Sequence, residues 1–338
     1  MIKEPTLSII VTSYSTQRLN DIYELLDSIK AQTYSHIETV FVAEQSKELY
    51  DLVQDYAQEK AIPNFKLIFN DGEKGASAAR NLGIQQARGE IIAFVDDDAL
   101  PFPDWAEEMV KTYADASIIG VTGPAFPLWE DENDAWLPEE LHWLISCTSW
   151  ADNETRKVRN IWLQNGSFRR EAFDRAGFLN PGLGPQDSTQ GFKGREIRDG
   201  IISEEVDISL RIIAVTKKYI LYNPAVRVKH RVNKKRLKPA YIRRWSYWMG
   251  LSKRKVKKLH LQTDKSILAP EQQLLKRIFT RLFPDILKAL FTHPVIAWRK
   301  LKVTMTALFF VALGYYGPLF KLSWAGNKQN VNNTQKGV

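Results

Sequence analysis

The sequence contains a single cysteine, Cys147, among its 338 residues, so it can form no internal disulfide. It also shows no export signal, because Met1–Pro5 leads directly into a strand-like run without a long apolar core. No segment of the chain repeats. Together, these absences lead us to expect a non-repetitive protein of the reducing cytosol.

Acidic residues are missing from one long stretch of the chain. Residues 208–263, called the basic segment below, contain 17 lysines and arginines and no aspartate or glutamate. The remaining sequence has 30 basic and 39 acidic residues, so the net charge of +8 conceals an acidic body. A basic segment of this kind favours phosphate-bearing partners, namely nucleotides, anionic lipids or nucleic acid. The alternative is a solvated basic face.

A Gly-x-Gly-x-x-Gly motif is absent after the first apolar run, which argues against a Rossmann-type oxidoreductase. What the first 120 residues contain is an alternation of two periodicities. Strand-like runs alternate with helical spacing, at 7–11, 37–43, 65–69 and 91–95 for strands and 19–32, 49–60 and 77–87 for helices. This alternation predicts an α/β fold with a mostly parallel, doubly wound sheet flanked by helices. Further along the chain, the residue pattern predicts a helix at 201–215 and one strand at 220–230.

The acidic run Asp96-Asp97-Asp98 follows the strand-like residues 91–95. Side chains alternate along a strand, so Asp96 and Asp98 can point the same way and share a hard divalent cation with a diphosphate. Mg²⁺ and Mn²⁺ both accept such oxygen-rich sites. The alternative is an acidic loop that caps the next helix. Ligands of doubly wound sheets bind at the carboxyl ends of the strands, so Thr12, Tyr14, Glu44 and Asp96 should share one cleft.

The C-terminal part of the chain changes character. Residues 274–298 have amphipathic helical spacing with basic residues between the apolar ones, and 303–320 are 18 uncharged residues flanked by basic ones. We expect attachment to the membrane surface, with a spanning helix or a buried core helix as alternatives. The predicted organisation is a catalytic domain at 1–235, a basic amphipathic helical region at 236–300, an apolar membrane-associated segment at 301–322 and a disordered tail at 323–338.

Five pieces of sequence, in this order, resemble family 2 glycosyltransferases with a GT-A fold: LSIIVTSYSTQRL, SIKAQTY, GASAARNLGIQQARGEIIAFVDDDALPFPDW, NGSFRREAFDRAGF and SEEVDISLRI. The resemblance extends over about residues 7–251. Within the family, LPEELHWL and VRNIWLQNGSFRREAF resemble the archaeal-type enzymes that extend dolichyl-phosphate-linked sugars for protein N-glycosylation, such as the glucosyl-dolichyl phosphate glucuronosyltransferase group.

The resemblance implies a nucleotide site at the strand ends. Thr12 and Tyr14 would line the base pocket, and Asp71 would contact the base. Glu44 stands where the family usually has aspartate, which could re-aim its contact with the uracil or ribose. Arg80 would brace the nucleotide or the acidic run, or form a buried ion pair.

For the acidic run, the resemblance implies a divided role. Asp96 would contact the ribose, and Asp98 would bind the metal together with His230, unless that histidine is structural. Asp97 belongs to the same nucleotide-binding run, but we expect its side chain to point into the scaffold.

The remaining implied residues concern catalysis and the sugars. Glu205 would be the general base, with Glu204 as the neighbour to which this role could shift. Arg244 would grip the pyrophosphate, and Asn165 would hydrogen-bond the donor sugar. Trp143 and Trp150 would form an acceptor wall or belong to the core.

We therefore expect a metal-dependent inverting transferase that moves a sugar from a nucleoside diphosphate, by resemblance UDP, to a lipid-linked sugar at the cytoplasmic face of the cell membrane. A transferase for surface polysaccharide or glycolipid is the alternative within the class. A nucleic-acid-binding protein is the alternative outside it, because aromatic residues interleave with the basic segment. The apolar helices that follow favour lipid phosphate over nucleic acid as the partner.

Overall fold

The structure, a computed structural model, describes residues 4–148, 153–183, 203–260 and 267–317. Across these ranges the chain forms two β-sheets and a set of covering helices. The strands are β1 (Leu7–Ser13), β2 (Ile37–Glu44), β3 (Phe65–Asn70), β4 (Ile91–Phe94), β5 (Ala99–Pro101), β6 (Ile118–Thr122), β7 (Ala125–Trp129), β8 (Arg156–Val158), β9 (Gly166–Arg169), β10 (Tyr219–Tyr222) and β11 (Val228–Val232). The α-helices are α1 (Leu19–Lys30), α2 (Lys47–Glu59), α3 (Ala76–Gln86), α4 (Trp105–Thr112), α5 (Arg170–Ala176), α6 (Glu204–Thr216), α7 (Pro239–Leu259), α8 (Ala269–Arg277), α9 (Phe283–Thr292) and α10 (Pro294–Tyr316).

The large sheet has eight strands in the order β3-β2-β1-β4-β9-β6-β10-β8. β3, β2, β1 and β4 run parallel, as the strand-helix alternation predicts, and β9 runs antiparallel between β4 and β6. Both faces are buried, since Leu7, Ile9 and Val11 join one apolar cluster with α1, α2 and α4 while Ile10 joins another with α3, α5 and α6. The sheet therefore lies between two helical layers.

The small sheet, in the order β5-β11-β7, is where the structure corrects the prediction of one strand at 220–230. That stretch forms β10 in the large sheet and β11 in the small one, because Pro224 has no N–H for a ladder and the Asn223 side chain accepts the N–H of Ala225. A neighbouring segment of the same chain makes the same transition, from β6 to β7 through Gly123. A Cβ on Gly123 would lie 1.9 Å from the carbonyl oxygen of Val226, so the two transitions are in backbone contact.

The C-terminal helices also differ from the prediction. Residues 274–298 do not form one helix, since α9 ends at Thr292 and α10 begins at Pro294, which suits a first helical turn and cannot continue a preceding one. The predicted boundary between 300 and 301 lies inside α10, and the predicted tail lies outside the described residues. In the described part of the chain, we find no helix with the length and apolar character that crossing a membrane requires.

The backbones of α7 and α10 are in direct contact at two glycines. A Cβ on Gly250 would lie 2.0 Å from the carbonyl oxygen of Val311, and one on Gly314 would lie 2.0 Å from that of Tyr247. Because the atoms they would meet are backbone, neither contact can be relieved by a side-chain rotation. α7 and α10 therefore meet at two positions where any side chain would force the backbones apart.

We expect Gly314→Ala to lower the free energy of unfolding by about 1–3 kcal/mol, the usual cost of overpacking, because the two helices must separate. Chemical denaturation followed by circular dichroism measures the change. Gly72→Ala is the matched control, since its Cβ would meet only a side-chain oxygen of Asn70 at 3.5 Å. Equal stability of the two variants would show that α7 and α10 are not in this contact.

Candidate active site

A cavity of about 1240 Å³ opens at the carboxyl ends of β1 and β4. One end of it, called the acidic end below, is lined by Thr12, Tyr14, Arg18, Asp96, Asp97, Glu204 and Glu205. Four of the predicted strand-end and catalytic positions, Thr12, Tyr14, Asp96 and Glu205, thus face one space. This is the arrangement that parallel strands with ligands at their carboxyl ends produce.

The acidic run turns sharply between the two sheets. β4 ends at Phe94, and the N–H of Ala99 then donates to the carbonyl of Asp96 at 3.0 Å as β5 begins. β5 pairs with β11 so that Ala99 lies opposite His230, and the carbonyl of Asp98 accepts the N–H of Arg231 at 2.9 Å. The pairing of β5 with β11 therefore brings His230 beside Asp98, although the two are far apart in the sequence.

The buried carboxylates of this turn are balanced by two arginines. Nη1 of Arg18 lies 2.7 Å from Oδ1 of Asp97 and 3.0 Å from Oδ2 of Asp98, and Nη2 of Arg236 lies 3.6 Å from that same Oδ2. The other oxygen of Asp97 accepts a hydrogen bond of 2.5 Å from Ser13. Both oxygens of Asp97 are thus engaged by scaffold residues, although Asp97 also lines the acidic end of the cavity.

Burial alone would raise the pKa of Asp98, but the charge that His230 carries when protonated and the positive charges of Arg18 and Arg236 outweigh it and lower the pKa to about 2. Burial lowers the pKa of His230, which favours the neutral imidazole. Burial also raises the pKa of Asp97, against the charge of Arg18. An ionised carboxylate next to a neutral imidazole is the donor set that divalent metals bind.

Asp96, Asp98 and His230 form a cluster that could hold a divalent cation, since one ligand atom from each lies within 4.8 Å of the others. Oδ1 of Asp98 lies 3.2 Å from Nε2 of His230. Nδ1 of His230 is buried and has no hydrogen-bond partner among the described residues, so the ring is not fixed by a scaffold bond on that side. The set fits Mg²⁺ or Mn²⁺. It includes Asp96, as the alternation of side chains along a strand predicted, although the family resemblance had assigned this residue to the ribose.

Arg80 on α3 joins the acidic turn to the start of α6. Its Nη2 lies 3.0 Å from Oδ1 of Asp96, and its Nη1 lies 3.5 Å from Oε1 of Glu204. Of the roles left open for Arg80, these contacts correspond to bracing the acidic run and to a buried ion pair, while a contact with the nucleotide stays a prediction. The guanidinium group thereby fixes the distance between the candidate metal ligands and the candidate base helix.

The two glutamates at the start of α6 have different environments. Glu204 is 4% exposed, and its burial and the charge of Glu205 raise its pKa to about 8, against the charge of Arg80. Glu205 is half-buried and lines the cavity, with no such ion pair to Arg80. Because Glu205 lines the cavity and is not held by Arg80, the geometry favours Glu205 over Glu204 as a base.

Asn165 is not in position to bind a donor sugar, and that prediction is wrong. The residue is fully buried, its Oδ1 accepts a hydrogen bond from Nε1 of Trp105 at 2.8 Å, and its Nδ2 donates to the carbonyls of Pro124 and Val226. These two carbonyls belong to the transitions from the large sheet to the small one. Asn165 therefore satisfies backbone groups at the point where the β6–β7 and β10–β11 segments pass from one sheet to the other.

Two predicted nucleotide contacts do not line the cavity. Glu44 is 3% exposed, and its Oε1 accepts the N–H of Gly75 at 2.9 Å, so it holds the loop before α3 instead of facing a ligand. This corrects its assignment as a direct contact in this structure. Asp71 is exposed, directly after β3, and its contact with a base stays a prediction.

The remaining predicted residues divide between the cavity and the undescribed part. Trp143 and Arg244 both line the cavity, so each is in a position to contact a ligand. Trp150 lies outside the described residues.

Arg18 and Arg236 are the site residues that the sequence analysis missed. Each follows a strand of a different sheet by a few residues, and nothing in its local pattern marks it. The available signal was indirect, since three consecutive carboxylates at a strand end require compensating cations when they are buried.

We expect Asp98→Asn to weaken Mn²⁺ binding by more than about tenfold, because even the loss of an outer-shell partner costs that much at many metal sites. Electron paramagnetic resonance of free Mn²⁺ during a titration measures the affinity without any assay of activity. Asp51→Asn is the control, because Asp51 pairs only with Lys47 on the exposed face of α2. If the Asp98 variant bound Mn²⁺ with the affinity of the wild type, the metal would not be bound by Asp98.

Comparisons with known proteins agree with this geometry. A chain of Haloferax volcanii described as a glucosyl-dolichyl phosphate glucuronosyltransferase is 29% identical over 329 residues, which cover 97% of this chain and 99% of that one. A putative glycosyltransferase of Bacillus subtilis, EpsH, is 36% identical over 115 residues, 34% of this chain and 32% of its own. The solved structure of the mannosyltransferase PcManGT from Pyrobaculum calidifontis, in complex with GDP-mannose and Mn²⁺, superposes with a TM-score of 0.62 at 19% identity, covering 93% of this chain and 88% of that one.

The likeness to that solved structure confirms the predicted GT-A fold. The family model for "Glycosyl transferase family 2" matches residues 8–177, half of the chain, and so covers β1, the acidic turn and β9. The chain therefore belongs to glycosyl transferase family 2 and is a glycosyltransferase.

Proposed function

We propose that this glycosyltransferase is a metal-dependent, inverting enzyme that moves a sugar from a nucleoside diphosphate, UDP in the first instance, to a lipid-linked sugar. The observation that carries the proposal is the bridge made by Arg80. One guanidinium group contacts Asp96 at 3.0 Å and Glu204 at 3.5 Å, so Asp96 of the candidate metal cluster and the start of α6 share one end of the cavity, with Asp98 and His230 buried behind Asp96.

The chemistry follows from this placement. A divalent cation bound by Asp96, Asp98 and His230 supplies positive charge for the leaving diphosphate. Glu205 accepts the proton of the acceptor hydroxyl while the hydroxyl oxygen attacks the anomeric carbon. The bond from that carbon to the diphosphate oxygen breaks in the same step. Of the other carboxylates of α6, Glu204 is held by Arg80 and Asp207 is paired with Arg211 and His260. Neither is placed as a second, nucleophilic carboxylate, which supports a single displacement with inversion.

The acceptor is proposed from the rest of the cavity. Beyond the acidic end, its wall is apolar and comes from α7, α8, α10 and the short π-helical turn between α8 and α9, with Trp248, Met249, Leu274, Ile278, Leu308 and Val311 as lining residues. A soluble sugar needs no such wall, whereas a polyprenyl or dolichyl chain does. The similarity, over nearly the full length of both chains, to a protein described as a glucosyl-dolichyl phosphate glucuronosyltransferase supports the same acceptor class. We extend the proposal to a role in glycan assembly for protein N-glycosylation.

Attachment to the cytoplasmic face of the cell membrane is part of the proposal. Large apolar side chains are exposed along the C-terminal helices, at 60% for Phe279, 92% for Phe291, 74% for Val295, 63% for Trp298 and 62% for Phe309. Exposed Arg281, Lys288 and Lys302 accompany them. An apolar face with nearby cations is the composition of helices that lie in an anionic membrane surface.

We expect Glu205→Gln to reduce sugar transfer about 10²–10⁴-fold, the usual contribution of a general base, while the affinity for the nucleotide stays unchanged. Transfer from a panel of UDP- and GDP-sugars to dolichyl phosphate-linked glucose, with Mn²⁺, measures the rate. Glu204→Gln is the matched variant, and it should keep most activity because an amide resembles the protonated carboxyl. If the Glu204 variant were inactive and the Glu205 variant active, the general base would be Glu204 and not Glu205.

We expect the double variant Phe291→Ser/Trp298→Ser to lose most of its co-sedimentation with vesicles of phosphatidylglycerol and phosphatidylcholine, because two exposed apolar side chains no longer enter the interface. Val215→Ser, an exposed apolar residue on α6, is the control for a change elsewhere on the surface. Undiminished sedimentation of the double variant would argue against attachment through these helices.

A further inference from the structure

Arg236 lies in a part of the chain that offers it no carboxylate of its own. It belongs to the short 3₁₀ helix Lys234–Leu237 between β11 and α7, inside the basic segment, which contains no aspartate or glutamate. Its mostly buried guanidinium group therefore depends on an anion from another part of the fold. Within the described ranges, the one carboxylate within 4 Å of it is Asp98, whose Oδ2 lies 3.6 Å from Nη2 of Arg236.

The contact of Arg236 with Asp98 is loose compared with that of Arg18. Nη1 of Arg18 lies 2.7 Å from Oδ1 of Asp97 and 3.0 Å from Oδ2 of Asp98, and the charge of Asp97 raises the pKa of Arg18. A separation of 3.6 Å, in contrast, is too long for a hydrogen bond. The hydrogen bond that Arg236 does make is from Nη1 to the carbonyl of Ile145, at 2.9 Å. Arg18 is therefore a fixed counter-charge, whereas Arg236 can leave Asp98 without breaking a hydrogen bond.

Arg236 contacts Asp98 from the side of the cavity. Asp98 and His230 are almost fully buried and do not line the cavity, whereas Arg18 and Arg236 do. The side chains of the cavity wall that contact Oδ2 of Asp98 are therefore guanidinium groups. A divalent cation that enters from the cavity approaches this oxygen against their positive charge, and the repulsion is strong because the place is poor in water. The cation is bound more easily if the loosely held guanidinium group moves away.

The acidic run is electrically balanced by the chain itself. Its three carboxylates face three guanidinium groups, those of Arg18, Arg80 and Arg236, and burial favours the neutral imidazole of His230. A divalent cation adds positive charge to this balanced set. The diphosphate of a nucleotide sugar carries the negative charge that would restore the balance. Metal and donor should therefore bind more tightly together than either does alone.

Arg236 has a second arginine near it on the same part of the cavity wall. Arg236, Tyr241 and Arg244 all line the cavity. Burial raises the pKa of the Tyr241 phenol, and the positive charges of Arg236 and Arg244 both oppose this effect, so the two guanidinium groups lie near one phenol. The planar donors of an arginine can bind two phosphate oxygens at once. A guanidinium group that leaves Asp98 is thus already beside a place suited to a phosphate.

We propose that Arg236 exchanges partners during donor binding. It balances the charge of Asp98 before a metal binds, and it contacts the diphosphate of the donor once a divalent cation has taken its place at Asp98. This role rests on the proposed function, which brings a cation and a nucleoside diphosphate to the acidic end. Arg236 thereby makes metal binding and donor binding depend on each other, while Arg18 and Arg80 keep the acidic turn in shape.

The test compares the full-length wild-type protein with Arg236→Gln and Arg236→Lys. Arg227→Gln is the control, since Arg227 also lies in the basic segment and pairs with a carboxylate, that of Asp104 at 2.8 Å, but outside the cavity. Electron paramagnetic resonance measures the affinity for Mn²⁺ alone, and calorimetry measures the affinity for UDP in the presence of Mn²⁺. Circular dichroism checks that each variant is folded.

We expect Arg236→Gln to bind Mn²⁺ alone at least about threefold more tightly, because a positive charge beside Asp98 is removed. The same variant should bind UDP with Mn²⁺ at least about tenfold more weakly, because a charge-assisted contact with the diphosphate is lost. Arg236→Lys keeps the charge, so it should bind Mn²⁺ alone like the wild type. It should bind UDP about threefold more weakly, because an ammonium group replaces the planar donors. Both affinities of the control should be unchanged.

Two results in Arg236→Gln would overturn the exchange. Undiminished UDP binding would exclude the contact with the diphosphate, and unchanged or weaker binding of Mn²⁺ alone would exclude the competition with the metal at Asp98. If the glutamine variant does not fold, Arg236→Lys decides, since undiminished UDP affinity in that variant contradicts the exchange as well. Failure of the proposed function is recognisable separately, as opposite shifts of the two affinities in a protein that transfers no sugar to a lipid-linked acceptor.

Discussion

The charge balance around Asp96-Asp97-Asp98 is the interaction on which the other features depend. Two of these carboxylates are almost fully buried, and an unpaired buried charge costs several kcal/mol. The compensating guanidinium groups come from three separate segments: Arg18 after β1, Arg80 on α3 and Arg236 after β11. The turn can therefore be stable only when these parts of the chain have already come together, so the candidate site forms as a product of the whole fold. A bound cation would enter a cluster whose geometry the arginines have set.

The transition from the large sheet to the small one explains which parts of the fold could be predicted. The parallel half has apolar runs and helical spacing of ordinary length, and periodicity alone indicates β1 to β4. The run 220–230 is equally apolar, yet it divides between two sheets because of contacts far away in the sequence. Gly123 allows the neighbouring backbone to approach Val226, and Asn165 binds the two carbonyls exposed there. Periodicity carries no information on such contacts.

The same reason separates the site residues that could be predicted from those that could not. Asp98 and His230 follow or lie on strands and match the family pattern, and the structure brings them within 3.2 Å. Asn165 also matches the pattern, but its place in the pattern reflects the scaffold, where it joins Trp105 to two strand ends. Arg18 lies in one of the pieces that resemble the family and Arg236 does not, but no local pattern indicates the function of either, which is defined by the charges it neutralises. A motif thus identifies a position, and burial with hydrogen-bond partners decides its role.

The glycine contact between α7 and α10 has a mechanical consequence. At Gly250 and Gly314 backbone meets backbone, so neither helix can slide or roll without moving the other. α7 also carries Trp248 and Met249 into the cavity wall, beside Gly250 in the sequence. A displacement of α10 would therefore also displace these two side chains. The two glycines thus connect the helix with the exposed apolar face to the wall of the cavity by direct backbone contact.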